Sequence, residues 1–215
     1  MKRFKAMTVA VLAALALAGL VPAAQAQDNA AVAVNTKDGT SLIRVAFKIA
    51  RVNKDVVDNA NAAVAWASCT ECEAVAIAFQ IVLVFSDPSV VTPTNLAIGV
   101  NWECTACVAF ADAHQWVLGT GGNVHFTAEG NRRLAEVRRR LHDLRHAENL
   151  SLDDLRAELE AIAAEIENIL DTELVPAGDS GAGEEEPGET TTTETTATTP
   201  TTTETTESTT TTTTP

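Results

Sequence analysis

The chain has 215 residues, a formal net charge of −14, 46% hydrophobic residues and four cysteines. A surface this acidic lacks the clustered Lys and Arg that nucleic-acid binding requires, so we expect no nucleic-acid partner. About 150 residues lie between two ends of unusual composition, which is enough for one folded domain with an appendage.

The N-terminus has the pattern of a secretory signal peptide. Basic residues at positions 2, 3 and 5 precede an apolar run from Ala6 to Val21, and Ala24-Gln25-Ala26 is a small-x-small cleavage signal. We therefore expect residues 1–26 to be removed and the protein to be secreted into the cell envelope or beyond. No later segment is long and apolar enough to span a membrane, which needs about 20 residues.

The C-terminal segment, residues 177–215, is of low complexity. It holds 19 Thr between Thr190 and Pro215, together with acidic residues and no Lys or Arg. Such a segment cannot bury enough apolar surface to offset its chain entropy, so we predict a disordered spacer. Composition leaves open whether the threonines are O-glycosylated.

Residues 27–122 have the pattern of a β-rich domain. Asp38-Gly39 lies between two β-favouring runs and predicts a hairpin. In the second run Ile43, Val45, Phe47 and Ile49 alternate with other residues, which predicts one face toward the core and the other toward solvent. The same alternation recurs over residues 75–83, where an Ala-rich helix is the alternative.

An internal repeat links residues 61–83 to residues 96–118. A shift of 35 residues superposes the two Cys-x-x-Cys motifs and matches nine positions within residues 69–83. Two units are too few for a solenoid. We therefore expect a pseudo-symmetric pair of segments packed on each other, which brings the two motifs together.

The four cysteines, Cys69, Cys72, Cys104 and Cys107, fit three kinds of chemistry. Their spacing is typical of a zinc site in the cytosol, but outside the cell such thiols oxidise to disulfides. A redox pair requires a βαβ setting, which the pattern lacks. We expect disulfides and favour bonds between the motifs, although sequence does not select among the three connectivities. Zinc is the alternative cofactor.

Residues 123–176 predict an antiparallel helical hairpin, since apolar residues recur at spacings of three and four in two segments. Ser151 with Asp154 predicts the N-cap of the second helix. One register pairs Leu144 with Leu152, Leu141 with Leu155, Val137 with Leu159 and Leu134 with Ile162. The same register places Arg140 near Glu158 and Arg133 near Glu165.

The segment "HDLRH" places His142 and His146 four residues apart on one helix. The spacing resembles the zincin motif His-Glu-x-x-His, with Asp143 in place of the Glu that acts as general base. Both histidines fall at outward heptad positions, and no third ligand is evident. We assign no catalytic residue and keep His142 and His146 as an alternative metal site.

The segments "NTKDGTSLIRVAFKIARV", "SDPSVVTPTNLAI" and "GTGGNVHFTAEG", with the two Cys-x-x-Cys motifs, resemble an exported domain of actinobacterial proteins labelled peptide zinc metalloproteases. The similarity spans roughly residues 30–176. It implies an accessory extracytoplasmic domain, because this chain lacks the His-Glu-x-x-His motif and transmembrane helices of the protease domain.

The sequence thus predicts an α+β protein, in which a β-rich pseudo-symmetric domain precedes a helical hairpin and a disordered tail. We expect a non-enzymatic structural or binding module that contacts an envelope protein or a cell-wall polymer. Trp66, Trp102 and Trp116 are expected in the core, with a ligand platform as the alternative. A zinc- or thiol-dependent enzyme is the alternative function.

Overall fold

A computed structural model describes residues 27–147 and 150–178, all within one compact unit. The predicted signal peptide and almost all of the predicted tail lie outside these residues. The elements are β1 (Asn29–Asn35), β2 (Ser41–Val52), β3 (Val56–Val57), β4 (Ala60–Ala67), β5 (Glu73–Val84), β6 (Val90–Val91), β7 (Thr94–Asn101), β8 (Val108–Gly119), β9 (Val124–Phe126), α1 (Ala128–Leu144), α2 (Leu152–Thr172) and β10 (Leu174–Pro176). The predicted α+β class, with a β-rich domain followed by a helical hairpin, is confirmed.

The β-rich domain is a parallel solenoid of three rungs, a rung being one circuit of the chain. The first sheet has the order β1-β4-β7, the second has β2-β5-β8, and β3 pairs with β6. All these pairs are parallel, and equivalent residues are 32 to 35 positions apart, as in Phe47, Phe79 and His114. The expectation of two units and no solenoid is therefore wrong, because residues 29–57 form a further rung.

The predicted hairpin at Asp38-Gly39 is also wrong, since β1 pairs with β4 and β2 with β5. The dipeptide instead forms a corner between the two sheets. Gly39 has a positive φ of 65°, and Glu71 and Ala106 have φ of 51° and 52° at equivalent points of the next two rungs. Each rung therefore has a left-handed residue at this point, and the third rung has a second one at Glu103, with a φ of 44°. The corners are stacked, as the Gly39 amide donates to the Thr70 carbonyl and the Glu71 amide to the Thr105 carbonyl.

Small side chains fill the space between the two sheets. Alanines at alternate positions of β1, β4 and β5, such as Ala33, Ala65 and Ala76, are fully buried there. In the third rung Gly99 takes the place of Ala65. A Cβ on Gly99 would lie 2.8 Å from the Ala109 carbonyl oxygen, so only glycine fits at this position.

An asparagine ladder fixes the register inside the solenoid. The Asn29 amide donates to Asn61 at 2.9 Å, and the Asn61 amide donates to Asn95 at 2.9 Å. Each also donates to a backbone carbonyl of the second sheet, as Asn61 does to Ala78 at 3.1 Å. The ladder satisfies buried polar groups, and no buried side-chain nitrogen or oxygen of the described chain lacks a partner.

The helical hairpin covers the outer face of the second sheet. Val75, Ile77, Phe79, Ile81 and Leu83 of β5 are fully buried in a cluster with apolar residues of α1 and α2. The opposite face of β5 carries the alanines of the solenoid interior. Ile43, Val45, Phe47 and Ile49 of β2 pack against the same cluster, so the predicted core-facing side of β2 is confirmed. Both faces of β5 are covered, and on the opposite face of β2 Arg44 is exposed while Ala50 is buried, so the expectation of a solvent face is wrong for β5 and holds only in part for β2.

The register of the hairpin is as predicted. Arg140 Nε lies 2.7 Å from Glu158 Oε1, and Arg133 Nε lies 2.8 Å from Glu165 Oε1. The Asp154 amide donates to the Ser151 hydroxyl, which confirms the N-cap of α2. Antiparallel pairing of β9 with β10 joins the two ends of the hairpin. Neither α1 nor α2 has the length and apolarity of a membrane span.

Candidate binding face

The outer face of the first sheet is a regular array of apolar side chains. Parallel pairing aligns three rows of outward positions across β1, β4 and β7. The rows are Ala30, Ala62 and Leu96; Val32, Val64 and Ile98; and Val34, Trp66 and Val100. We call these nine residues the apolar face. None of the nine carries a charge or a side-chain oxygen. The face can therefore contact a partner mainly through apolar surface.

This face is partly exposed, whereas the equivalent face of the second sheet is covered. Four of its residues are exposed and three are of intermediate exposure, while Ala62 and Trp66 on the central strand are buried. Val32, Val34 and Leu96 are 52%, 42% and 40% exposed. No residue of the face belongs to a hydrophobic cluster of the described chain. Contiguous apolar patches on a soluble protein mark interaction sites, whereas single exposed apolar residues need no explanation.

Two tryptophans lie at the end of the face near the cysteine turns. The Trp66 ring is buried, and its centroid lies 6.2 Å from that of Trp102, which is 47% exposed. Trp116 lies under the hairpin, where its indole N–H donates to Glu167 at 3.3 Å. Burial is therefore as expected for Trp66, although its side chain lies on the outer face of the first sheet and not in a core cluster. Trp102 is exposed, contrary to expectation, and adds an aromatic ring to the rim of the apolar face.

The cysteines pair within each motif. Cys69 pairs with Cys72 and Cys104 with Cys107, at Cα distances of 5.9 and 6.0 Å, which are compatible with disulfide bonds. The expected pairing between the motifs is not found. The reason is local, because the left-handed corner in each motif folds its own two cysteines toward each other.

His142 and His146 lie on the outer side of α1 and just after its end. Both are exposed, as their heptad positions predict, and their ring centroids are 4.9 Å apart. No group of three or more His, Cys, Asp or Glu suited to a metal occurs among residues 27–147 and 150–178. The histidine pair is therefore a two-ligand arrangement at most in the described chain.

His146 also lines an open cleft of about 560 Å³ beside the start of β2 and β5. Ser41, Glu73 and Arg145 line the same cleft, and the Ser41 hydroxyl donates to Glu73 at 2.9 Å. Its floor is aliphatic, and its polar groups bond to one another or face solvent. The cleft shows no arrangement of nucleophile, base and orienting group.

A polar pair that sequence reasoning passed over lies on β8. His114 Nε2 is 3.1 Å from Asp112 Oδ2, and the imidazole stacks on Phe79 at 4.8 Å between ring centroids. The repeat aligns His114 with Phe79 but gives no sign of the carboxylate. Without a nucleophile beside it, the pair anchors the histidine under the hairpin.

No protein-family model, curated protein or solved structure matches the chain.

Proposed function

We propose that this chain is an exported, non-enzymatic binding module that holds an apolar surface of another envelope protein against its apolar face. The observation that carries the proposal is an uncharged array of nine apolar side chains, three of them at least 40% exposed. The hairpin covers the equivalent face on the opposite side of the solenoid, so the fold leaves one of its two broad apolar faces accessible in the described chain.

The chemistry of the face favours a protein over a polysaccharide. A sugar polymer needs hydrogen-bonding groups beside its aromatic platforms, and among the nine side chains only the indole N–H of the buried Trp66 could supply one. An aliphatic protein surface needs only shape and apolar area, and depletion of charge is typical of the centre of a protein interface. The acidic balance of the chain adds a reason against anionic polymers, which like charge would repel.

A photo-crosslinking experiment in the exporting cell tests this function. A benzophenone amino acid at Leu96 places the probe on the face, and one at Val56 or Val91 places it at a comparably exposed site elsewhere. We expect a discrete protein adduct from Leu96 and none from the other two sites. Introducing Val32→Lys with Val34→Lys should lower the Leu96 yield at least about tenfold, since burying each lysine would cost more than about 1.4 kcal/mol.

The matched control is Val56→Lys with Val91→Lys, which should leave the yield unchanged. Equal adduct yields from Leu96 and Val56, or a yield that the lysines on the face do not alter, would reject the proposed function. An adduct made of polysaccharide alone would replace the protein partner with a cell-wall polymer. Stoichiometric zinc or alkylatable thiols in the purified protein would instead support the enzyme alternative.

A further inference from the structure

The third rung ends both main sheets with unpaired strands. In the described chain β7 has a neighbour only in β4, and β8 has one only in β5. The outer edge of the rung therefore presents backbone donors and acceptors along strands of eight and twelve residues. Unpaired edges of this length are templates for another strand unless charge, proline or a covering element blocks them.

The opposite edge of the solenoid carries such a block. On β2, Arg44 and Lys48 lie at positions of the inward-facing side of the strand. The aligned positions of β5 in the second rung are Ala76 and Gln80. Inward-pointing charges on an edge strand prevent a further strand from docking. The third rung has Ala111 and Gln115 at the equivalent positions and carries no such charge.

The interior of the solenoid is also open at the third rung. Ala97 and Gly99 are exposed, whereas their counterparts in the second rung, Ala63 and Ala65, are fully buried. Neither β7 nor β8 contains proline. The charged and titratable side chains in the two strands are Asp112 and His114, which are paired with each other.

The geometry of this edge selects a second copy as its occupant. The Asn95 amide bonds to the Ala113 carbonyl, and Gly99 approaches the Ala109 carbonyl, so β7 and β8 run in opposite directions. A two-fold rotation about an axis along the strands then sets β7 of each copy antiparallel to β8 of the other. Both edge strands gain a partner at once, with Gly99 level with Ala109 of the second copy.

We propose that the third rung is the interface of an end-to-end homodimer, in which β7 and β8 of two copies form continuous antiparallel sheets. Each β7–β8 pairing can form about eight backbone hydrogen bonds along β7. Leu96, Ile98 and Val100 of the apolar face lie on β7 and border this interface, whereas the six residues of the face on β1 and β4 take no part in it. The inference rests on the unpaired edges of the third rung and not on the proposed function.

Sedimentation velocity of the full exported chain tests the dimer. We expect the weight-average mass to rise toward twice the monomer value between about 1 and 500 µM, as for a micromolar association. Ala97→Lys puts an inward lysine on β7, as Arg44 and Lys48 do on β2, and should keep the protein monomeric. Val91→Lys changes an exposed site outside the third rung and should behave as the wild type.

A second measurement does not depend on the fold tolerating that lysine. In the dimer, Val100 lies beside Val108 of the second copy on the same outer face, whereas within one chain the two residues are on opposite outer faces. A mixture of Val100→Cys and Val108→Cys proteins should form a mixed disulfide dimer, located by peptide mapping. Either protein mixed with Val56→Cys should not.

Three results would overturn the proposal. One is a wild type that stays monomeric at about 500 µM, and another is an Ala97→Lys protein that associates as the wild type does. The third is loss of association in Val32→Lys with Val34→Lys, which would move the contact to the apolar face. Because Leu96 lies on β7, mass spectrometry must identify its adduct: a second copy reports the dimer, and a different protein reports the envelope partner. Absence of a different protein would leave the dimer unaffected, so the two proposals fail separately.

Discussion

Replacing Asn61 by aspartate is the sharpest test of the solenoid interior, because the two side chains have the same shape. Asn61 is fully buried in the middle of the asparagine ladder. Its amide nitrogen donates to Asn95 Oδ1 and the His114 carbonyl, both at 2.9 Å, and to the Ala78 carbonyl at 3.1 Å. An ionised aspartate would direct an oxygen at these three acceptors.

The magnitude follows from the bonds lost. A protonated aspartic acid in place of Asn61 keeps one O–H donor and loses about one or two hydrogen bonds, which costs about 1–2 kcal/mol of unfolding free energy. Ionisation adds repulsion from the three acceptors and the desolvation of a buried charge, so the folded variant holds the pKa of the introduced carboxyl above its usual value of about 4.

A raised folded-state pKa sets the sign of the pH dependence. The variant is most stable below the unfolded pKa and loses stability as the pH rises toward the folded pKa, by about 1.4 kcal/mol per pH unit. The deficit relative to the wild type should therefore grow from about 2 kcal/mol at pH 4 to about 4 kcal/mol or more at pH 7. That loss is a large share of the stability of a typical domain.

Urea unfolding followed by circular dichroism at pH 4 and pH 7 measures the deficit, with the disulfides intact. Asn95→Asp is the matched control, since Asn95 is exposed and its Oδ1 already accepts a bond from Asn61. It should cost less than about 1 kcal/mol at either pH. An Asn61→Asp variant as stable as the control, or one whose deficit shrinks as the pH rises, would contradict a buried ladder.

Four further substitutions test the corner, the hairpin and the core. At the left-handed corner, Ala106→Gly should raise the free energy of unfolding by about 0.5 kcal/mol, and Gly39→Ala should lower it by about as much. Both changes are small because backbone strain in the folded state and chain entropy in the unfolded state partly offset each other. Urea midpoints that shift in the reverse directions would contradict the corner geometry. The Arg133 guanidinium lowers the pKa of the Glu165 carboxyl, so this pair stabilises the fold above the unfolded pKa and loses its effect as the pH falls through the lower folded value. Arg133→Gln should accordingly lower the thermal midpoint more at pH 7 than at pH 3, and an equal shift at both would show that the pair is not coupled. Phe79→Ala should cost about 3–5 kcal/mol in urea unfolding, since this ring is fully buried between the second sheet and the hairpin, and a cost below about 1 kcal/mol would place it outside the core.

The hairpin was predictable because its information is local. Heptad spacing fixes which side of each helix faces the other, and a short connection makes the helices antiparallel. Once the apolar layers are aligned, the Arg140–Glu158 and Arg133–Glu165 pairs follow, and both are found.

The solenoid was not predictable from the same reasoning, because strand alternation does not reveal which strands pair. The first rung has Asp-Gly at its corner where the later rungs have Cys-x-x-Cys, so the cysteine match hid its relation to them. A shift of 32 residues aligns Asn29–Ala33 with Asn61–Ala65 without a mismatch, and this signal would have given three units. The alternating alanines suggest a solvent-exposed face when only the sequence is considered. In the structure they fill the interior of the solenoid, because two close sheets leave room only for small side chains.

The apolar face escaped prediction for a related reason. Its valines, leucine and isoleucine were part of ordinary β-strand alternation, and only the pairing of β1, β4 and β7 shows that they form one surface. The sequence shows that the tryptophans lie near the cysteines, but it does not show that Trp102 is exposed and Trp66 buried. That difference depends on the tertiary fold.

The most direct test of this account is disulfide mapping of the full chain by non-reducing peptide mass spectrometry, with metal content measured on the same sample. If the cysteines are staples of stacked solenoid corners, Cys69 will be linked to Cys72 and Cys104 to Cys107, with no zinc bound. Four alkylatable thiols with one zinc per chain would contradict both the corners and the binding module, and links between the two motifs would contradict the corner geometry.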